Sequence, residues 1–182
     1  LSCFLRLIDP NDGRITIDGI NIGNVPRNIV RDKLICLPQD ALIFIGTFRF
    51  NLDTQNHVSS DDDIIDALKL VGLWLLVEER GGLSAEVHPD ALSHGEQQLL
   101  AITRAVLRKR VAKGRSILIL DEATSNIDAA TQEVVQKVIE TEFKDNTVIT
   151  VAHRLETIKD SDMVIILNNG RISKMGPPSE VL

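Results

Sequence analysis

Four short runs carry side chains whose types and spacing can do chemistry. Ser116-Ile117-Leu118-Ile119-Leu120 is a continuous apolar stretch that ends in Asp121-Glu122. A buried strand that delivers two carboxylates at its C-terminal end puts them where open α/β sheets bind ligands. Carboxylates there can hold Mg²⁺ and polarise a water. The same letters also read as a strand running into a capped loop. Leu92-Ser93-His94-Gly95-Glu96-Gln97-Gln98 joins a Ser cap and a Gly at a helix start. Backbone N–H groups and the helix dipole at such a point favour a phosphate. Glu96 lies three residues after Ser93, so the run equally makes a capping box. His153 follows the β-rich run Val148–Ala152, which places it at the same sheet edge as Asp121 or makes it an ordinary surface histidine. Gln39 follows Pro38 at the end of Leu34–Leu37, where a simple turn residue is the alternative.

Composition limits what these groups can serve. The chain has 182 residues, 43% hydrophobic and 25% charged, enough for one domain with a real core. Lys and Arg number 20 against 26 Asp and Glu, a net charge of −6, which argues against a general nucleic-acid binder. Aromatics are 3% and Tyr is absent, so stacking on exposed bases is excluded as a main activity. Cys3 and Cys36 are far apart with no metal-type spacing and read as plain thiols of a reducing compartment. No apolar run approaches the roughly 18 residues needed to cross a bilayer, so the segment reads as soluble by itself. The first residue is Leu, inside an apolar run that lacks a basic leader.

The elements that must hold the four runs follow from periodicity and punctuation. Leu1–Ile8 reads as the end of a helix, stopped by Asp9-Pro10-Asn11-Asp12-Gly13. Arg14–Asp18 reads as a hairpin strand, Val25–Lys33 as a short helix and Leu34–Leu37 as a strand. Ser60 caps a helix that carries Asp61, Asp62 and Asp63 in its first turn and ends at Gly72. Ser93 caps a longer helix that ends in Arg108-Lys109-Arg110. After Gly114 the pattern is β–α–β–α–β: strand Ser116–Leu120, helix Asp128–Glu142, strand Thr147–Val151, a short helix near Leu155–Lys159, and strand Met163–Leu167. Asn169-Gly170 turns the chain into a last strand, Arg171–Lys174. Continuous apolar strands between amphipathic helices imply a parallel sheet covered on both faces, with a helical insertion over about 40–112.

Taken together, the order and relative spacing of these runs resemble the nucleotide-binding domain of ABC transporters. The likeness is greatest to the multidrug-resistance-associated subfamily, its C-terminal domain and fungal-looking members. Pro38-Gln39-Asp40 resembles the Q-loop, and Gly46 to Leu52 the "GT-R-NL" stretch after it. Leu92 to Gln98 resembles the LSGGQ signature, Leu118 to Glu122 Walker B, Ser125 to Asp128 the D-loop, and His153 the H-loop switch. The resemblance implies an α/β fold: a P-loop NTPase-type parallel sheet, here incomplete, with an inserted helical subdomain and a small antiparallel β part. Residues 1–39 would be the remnant of the N-terminal core, 40–112 the helical signature subdomain, and 113–182 the core from Walker B to the H-loop.

It also implies ATP and Mg²⁺ as cofactors, with a second ABC ATPase domain completing an ATP sandwich. The transmembrane domains of the transporter would be the other partner, and no nucleic acid is expected. Asp121 would hold Mg²⁺ through water, Glu122 would orient or activate the attacking water, and His153 would contact the γ-phosphate. Gln39 would touch Mg²⁺ or water and couple the site to the membrane domain. Ser93, His94, Gly95 and Glu96 would face the partner's ATP, and Asp128 would cross the dimer seam. The helical segment after Gln39 would meet the coupling helices. The chain would sit at the cytoplasmic face of a membrane.

Three departures from the family pattern qualify these expectations. His94 stands where the first Gly of the signature is usual, and Glu96 where Gln is usual. No G-x-x-x-x-G-K-S/T run, the Walker A loop that grips phosphates, occurs in the 182 residues. The chain alone is therefore expected to be inactive. Two further readings stay open: a non-hydrolysing module that lends its signature face to a partner, and a truncated fragment without independent function. A soluble ABC protein that transports nothing is a third.

Overall fold

The computed structural model describes residues 1–57, 60–112, 114, 116–152 and 157–182. They divide into two compact units, Leu1–Ile149 and Thr150–Leu182.

In chain order the first unit starts with an antiparallel pair, β1 (Thr16–Ile17) and β2 (Ile20–Asn21), followed by α1 (Arg27–Asp32) and β3 (Leu34–Leu37). Next come β4 (Gly46–Thr47), α2 (Phe48–Leu52), α3 (Asp61–Leu70), α4 (Trp74–Glu79), β5 (Glu86–Val87) and α5 (His94–Val111). The unit closes with β6 (Ile117–Asp121), α6 (Ala129–Glu142) and β7 (Thr147–Val151), whose last residues pass into the second unit. The main sheet has the order β3-β6-β7. β3 and β6 are parallel, with Leu34 opposite Ile117 and Leu37 opposite Leu120.

Side-chain alternation along these two strands builds two cores, as a sheet covered on both faces requires. Ile35, Leu37, Leu118 and Leu120 face the larger one, with Phe48, Ile64, Leu68, Leu100, Ile102, Val135 and Phe143 from the helices. Leu34 and Ile119 face the smaller, with Ile22 and Val30, and Phe4, Leu5 and Ile17 packed at its margin. Trp74 lies at the edge of the larger core.

The expected caps are in place. Ser60 Oγ accepts from Asp62 N–H at 3.1 Å, and Ser93 caps α5; Asp128, read as the first residue of its helix, is the cap of α6. Leu1–Ile8 closes as a helix end: Leu5 N–H donates to the Leu1 carbonyl at 3.0 Å, Arg6 takes φ +53°, and the N–H groups of Leu7 and Arg6 donate back to the Ser2 and Cys3 carbonyls at 2.9 and 3.1 Å. Two features differ from expectation. The run Met163–Leu167, read within the parallel β–α–β pattern, lies instead in an antiparallel pair, Val164–Asn168 against Arg171–Gly176. The segment between β3 and α5 also contains a β pair, Gly46–Thr47 against Glu86–Val87, too short to show as periodicity.

The second unit is a hairpin, β8 (Val164–Asn168) against β9 (Arg171–Gly176), with α7 (Pro178–Val181) beside it. Asn169 and Gly170 both take positive φ, 48° and 75°, the backbone of a two-residue hairpin turn.

Candidate functional site

The parallel register of β3 and β6 decides where the first candidates lie. Leu37 and Leu120 are partners, so the chain leaves both strands at one edge of the sheet. Gln39 follows two residues after Leu37, and Asp121 is the last residue of β6. An amide and a carboxylate thus come from neighbouring strand ends, the place where α/β sheets take their ligands. The Gln39 side chain is exposed, whereas Asp121 and Glu122 are half-buried. Glu122 holds φ +51°, a left-handed backbone rare for a residue with a Cβ, and strain of this kind collects at working sites. Ser125 N–H donates to the Glu122 carbonyl at 3.0 Å, which turns the loop back toward α6.

At the end of that loop Asp128 caps α6. Its Oδ1 accepts from Thr131 N–H at 3.0 Å and its Oδ2 from Thr131 Oγ1 at 2.7 Å. The backbone N–H of Thr131, then its hydroxyl, hold the Asp128 carboxyl below its ordinary pKa.

The Ser93 run starts α5 with a full capping box. Glu96 N–H donates to Ser93 Oγ at 3.3 Å, and Glu96 Oε2 accepts from Ser93 N–H at 2.7 Å. The Ser93 hydroxyl also donates to Glu96 Oε2, at 2.9 Å. His94 is exposed at the first helical position.

The starts of α5 and α6 meet. A Cβ on Gly95 would stand 3.0 Å from Thr131 Oγ1 and 3.3 Å from Asp128 Oδ2, so a side chain there would oblige these neighbours to give by a few tenths of an ångström. Near their far ends Lys109 and Arg110 approach Glu142 at 3.9 and 3.6 Å. The helices therefore run parallel, and their positive dipole ends lie side by side. Two carboxylates, Glu96 and Asp128, sit on those ends.

The structure thus brings Gln39 and Asp121 to one sheet edge, and Gly95 against Asp128. His153 lies outside the described residues. Among the described residues no group of three or more His, Cys, Asp or Glu side chains is arranged to hold a metal ion. Asp121 and Gln39 offer oxygen donors only, a set that suits Mg²⁺ when water and phosphate oxygens complete its shell.

Three polar residues missed by the sequence reading fix the loop after β3. Gln98 Nε2 donates to the Pro38 carbonyl at 3.2 Å and to the Gln39 carbonyl. Asn51 is fully buried; its Nδ2 donates to Phe44 O at 2.8 Å and Thr47 O at 3.1 Å, while its Oδ1 accepts from Phe44 N–H at 2.8 Å. Arg104 donates to the Leu42 carbonyl, to the Asn51 carbonyl, and to Asn51 Oδ1 at 3.0 Å; burial lowers its pKa. Gln98 and Asn51 lie inside runs that the sequence singles out, Leu92–Gln98 and Gly46–Leu52, but the pattern gives neither of them a role.

Comparison with known proteins identifies the family of the chain. The family model described as "ABC transporter" matches residues 1–125. An "ABC-type transporter" of Gibberella zeae is 42% identical over 180 residues, 99% of this chain and 12% of that protein. The "ABC transporter gloK" of Glarea lozoyensis is 46% identical over 98% of the chain and 13% of that protein. The human "ATP-binding cassette sub-family C member 2" is 44% identical over 100% of the chain and 12% of that protein. The chain thus spans only about an eighth of the length of these relatives. Among solved structures, a bacterial Atm1-family ABC exporter with ATP bound superposes with a TM-score of 0.86 at 31% identity, over 98% of this chain and 31% of that one. The strand-end carboxylates, the capped glycine helix start and the matched residues lead to one conclusion: the chain belongs to the ABC transporter family, as part of its nucleotide-binding domain.

Proposed function

We propose that the chain is the part of an exporter's ATPase domain that carries the Q-loop, signature, Walker B, D-loop and H-loop. In it, 1–39 belong to the N-terminal core, 40–112 form the signature subdomain, and 113–182 run from Walker B past the H-loop. The supporting observation is the β3/β6 register, which sends Gln39 and Asp121-Glu122 to one edge of the sheet.

When bound, Mg²⁺ would neutralise charge on the β- and γ-phosphates of ATP. Asp121 would hold the ion's water shell, and Gln39 would reach the same ion or its water. Glu122 would accept a proton from the attacking water, and His153 would contact the γ-phosphate. Ser93, His94, Gly95 and Asp128 would face the ATP of a second such domain. The work of these groups is positioning and charge placement, as phosphoryl transfer demands. Leu42 and Ile45, 62% and 72% exposed, with Phe44 and Phe50, give the loop after Gln39 an apolar surface suited to the membrane domains' coupling helices. The domain would then lie on the cytoplasmic face of a membrane. No helix among the described residues is itself long and apolar enough to cross one. The 182 residues by themselves, which contain no Walker A run, would not turn over ATP. In the full-length protein, Glu122→Gln should lower ATP turnover at least about a hundredfold while ATP binding persists; unchanged turnover would overturn the role of Glu122.

A specific observation favours a second reading, a weakened signature face. The Ser93 hydroxyl already donates to a carboxylate, Glu96, at the point where a partner's phosphate would arrive. Phosphate must displace that bond and meet a second negative charge. Glu96→Gln should therefore tighten ATP binding at the composite site, seen as a lower Kd in nucleotide titration of the full-length protein. An unchanged or higher Kd would remove this reading.

A further inference from the structure

We propose that Gln98 is a positioning residue that fastens the Q-loop to the signature helix, so that Gln39 takes its place from α5 rather than from its own loop. This rests on the assignment of Gln39 and the Ser93 run given above.

Gln98 is 4% exposed and lies in the first turns of α5, close after Gly95. Its amide nitrogen reaches two successive carbonyls, Pro38 at 3.2 Å and Gln39, 60 and 59 residues away in sequence. Both bonds go to backbone, so they fix where the Gln39 residue stands whatever its side chain contacts. The other end of the same amide, Oε1, is buried with no hydrogen-bond partner among the described residues. A leucine or methionine would fill this space without leaving a buried carbonyl unpaired, so packing alone does not explain a glutamine here. What only the amide supplies is the pair of donors.

A second grip from the same helix strengthens the case. Arg104 donates to the Leu42 carbonyl and to Asn51, which in turn holds both polar backbone groups of Phe44. α5 therefore grips the segment at residues 38–39 and again at 42–44. A rigid helix connects these grips to Ser93 and Gly95. Any shift of α5 is passed to Gln39 through Gln98, with no need for Gln98 to touch nucleotide.

The test uses the full-length protein carrying this chain, with Gln98→Met, which keeps length and removes both donor and orphaned acceptor. Hydrogen exchange across Asp40–Ile45 should accelerate about tenfold while α6 is unchanged. The kcat for ATP should fall about tenfold with KM changed less than about twofold. In a Gln39→Ala background, Gln98→Met should add less than about twofold, because the effect acts through Gln39. Unaltered exchange at Asp40–Ile45, or an equal loss of kcat with and without the Gln39 side chain, overturns the proposal. If Gln98→Met does not fold, Gln98→Leu is measured in the same way. If the wild-type protein turns over no ATP, the proposed function fails, and exchange at Asp40–Ile45 still decides whether Gln98 holds the loop.

Discussion

Two loops leave neighbouring parallel strands at the same edge of the sheet, and they are shaped by opposite means. The loop after β3 is held from outside: Gln98 and Arg104 reach it from α5, and the buried Asn51 ties Phe44 and Thr47 together. The loop after β6 is shaped by bonds close in sequence, from Ser125 to Glu122 and from Thr131 to Asp128. A loop pinned by a distant helix moves when that helix moves. A loop bonded close in sequence is tied first to its own strand, here with Asp128 at its end standing against Gly95 of α5. The difference gives one edge of the sheet a part that follows α5, Gln39, and a part that follows β6, the Asp121-Glu122 pair.

The comparison is most exposed at Asn51. Asn51→Ala removes bonds to Phe44 N–H, Phe44 O and Thr47 O and withdraws an acceptor from Arg104. Several buried polar groups lose partners at once, so the expected cost is about 3–4 kcal/mol in chemical denaturation. A cost below about 1 kcal/mol would show that the loop does not depend on this network, and the contrast would collapse.

A smaller effect is expected where the two helix starts touch. Gly95→Ala gains helix propensity but presses a methyl on Thr131 Oγ1, 3.0 Å away, and on Asp128 Oδ2, 3.3 Å away. The opposing terms should leave stability within about 1 kcal/mol. The Thr131–Asp128 bond should loosen, and the Asp128 pKa should rise toward its ordinary value, readable by NMR titration. An unmoved pKa would mean that Gly95 places no constraint on the start of α6.

The smallest effect belongs to Asp128 itself. Its folded pKa is depressed below the ordinary 3.8 by Thr131. The stabilisation is therefore full above the unfolded value and is lost as pH falls through the folded one. Asp128→Ala should melt slightly lower than wild type near neutral pH, with the two melting temperatures converging below pH 3.8. A gap that persists in acid would assign the effect to packing rather than to the charged cap.

Much of the positioning was readable in the sequence, because it depends on local rules. Ser60, Ser93 and Asp128 announce helix starts, and Asn169-Gly170 announces a hairpin, since each works through its nearest backbone groups. Asp121-Glu122 was visible because an unbroken apolar strand precedes it. The grip on the Gln39 loop was not visible. Gln98, Arg104 and Asn51 are residue types that ordinarily face water, and each of the three has a partner more than 50 residues away. The pairing of β4 with β5 was hidden for a similar reason: two residues on each side carry no period, and their register is set by tertiary contact.

The pairing of β3 with β6 also has a consequence for biosynthesis. Leu34–Leu37 cannot find Ile117–Leu120 until about 80 further residues have left the ribosome, on the order of 4–16 s at ordinary elongation rates. During that interval Leu34–Leu37 lacks the partner it takes from β6, while α2, α3 and α4 can already form from nearby contacts. The same strand pairing that brings Gln39 beside Asp121 therefore makes the nascent chain, for several seconds, a natural client of chaperones.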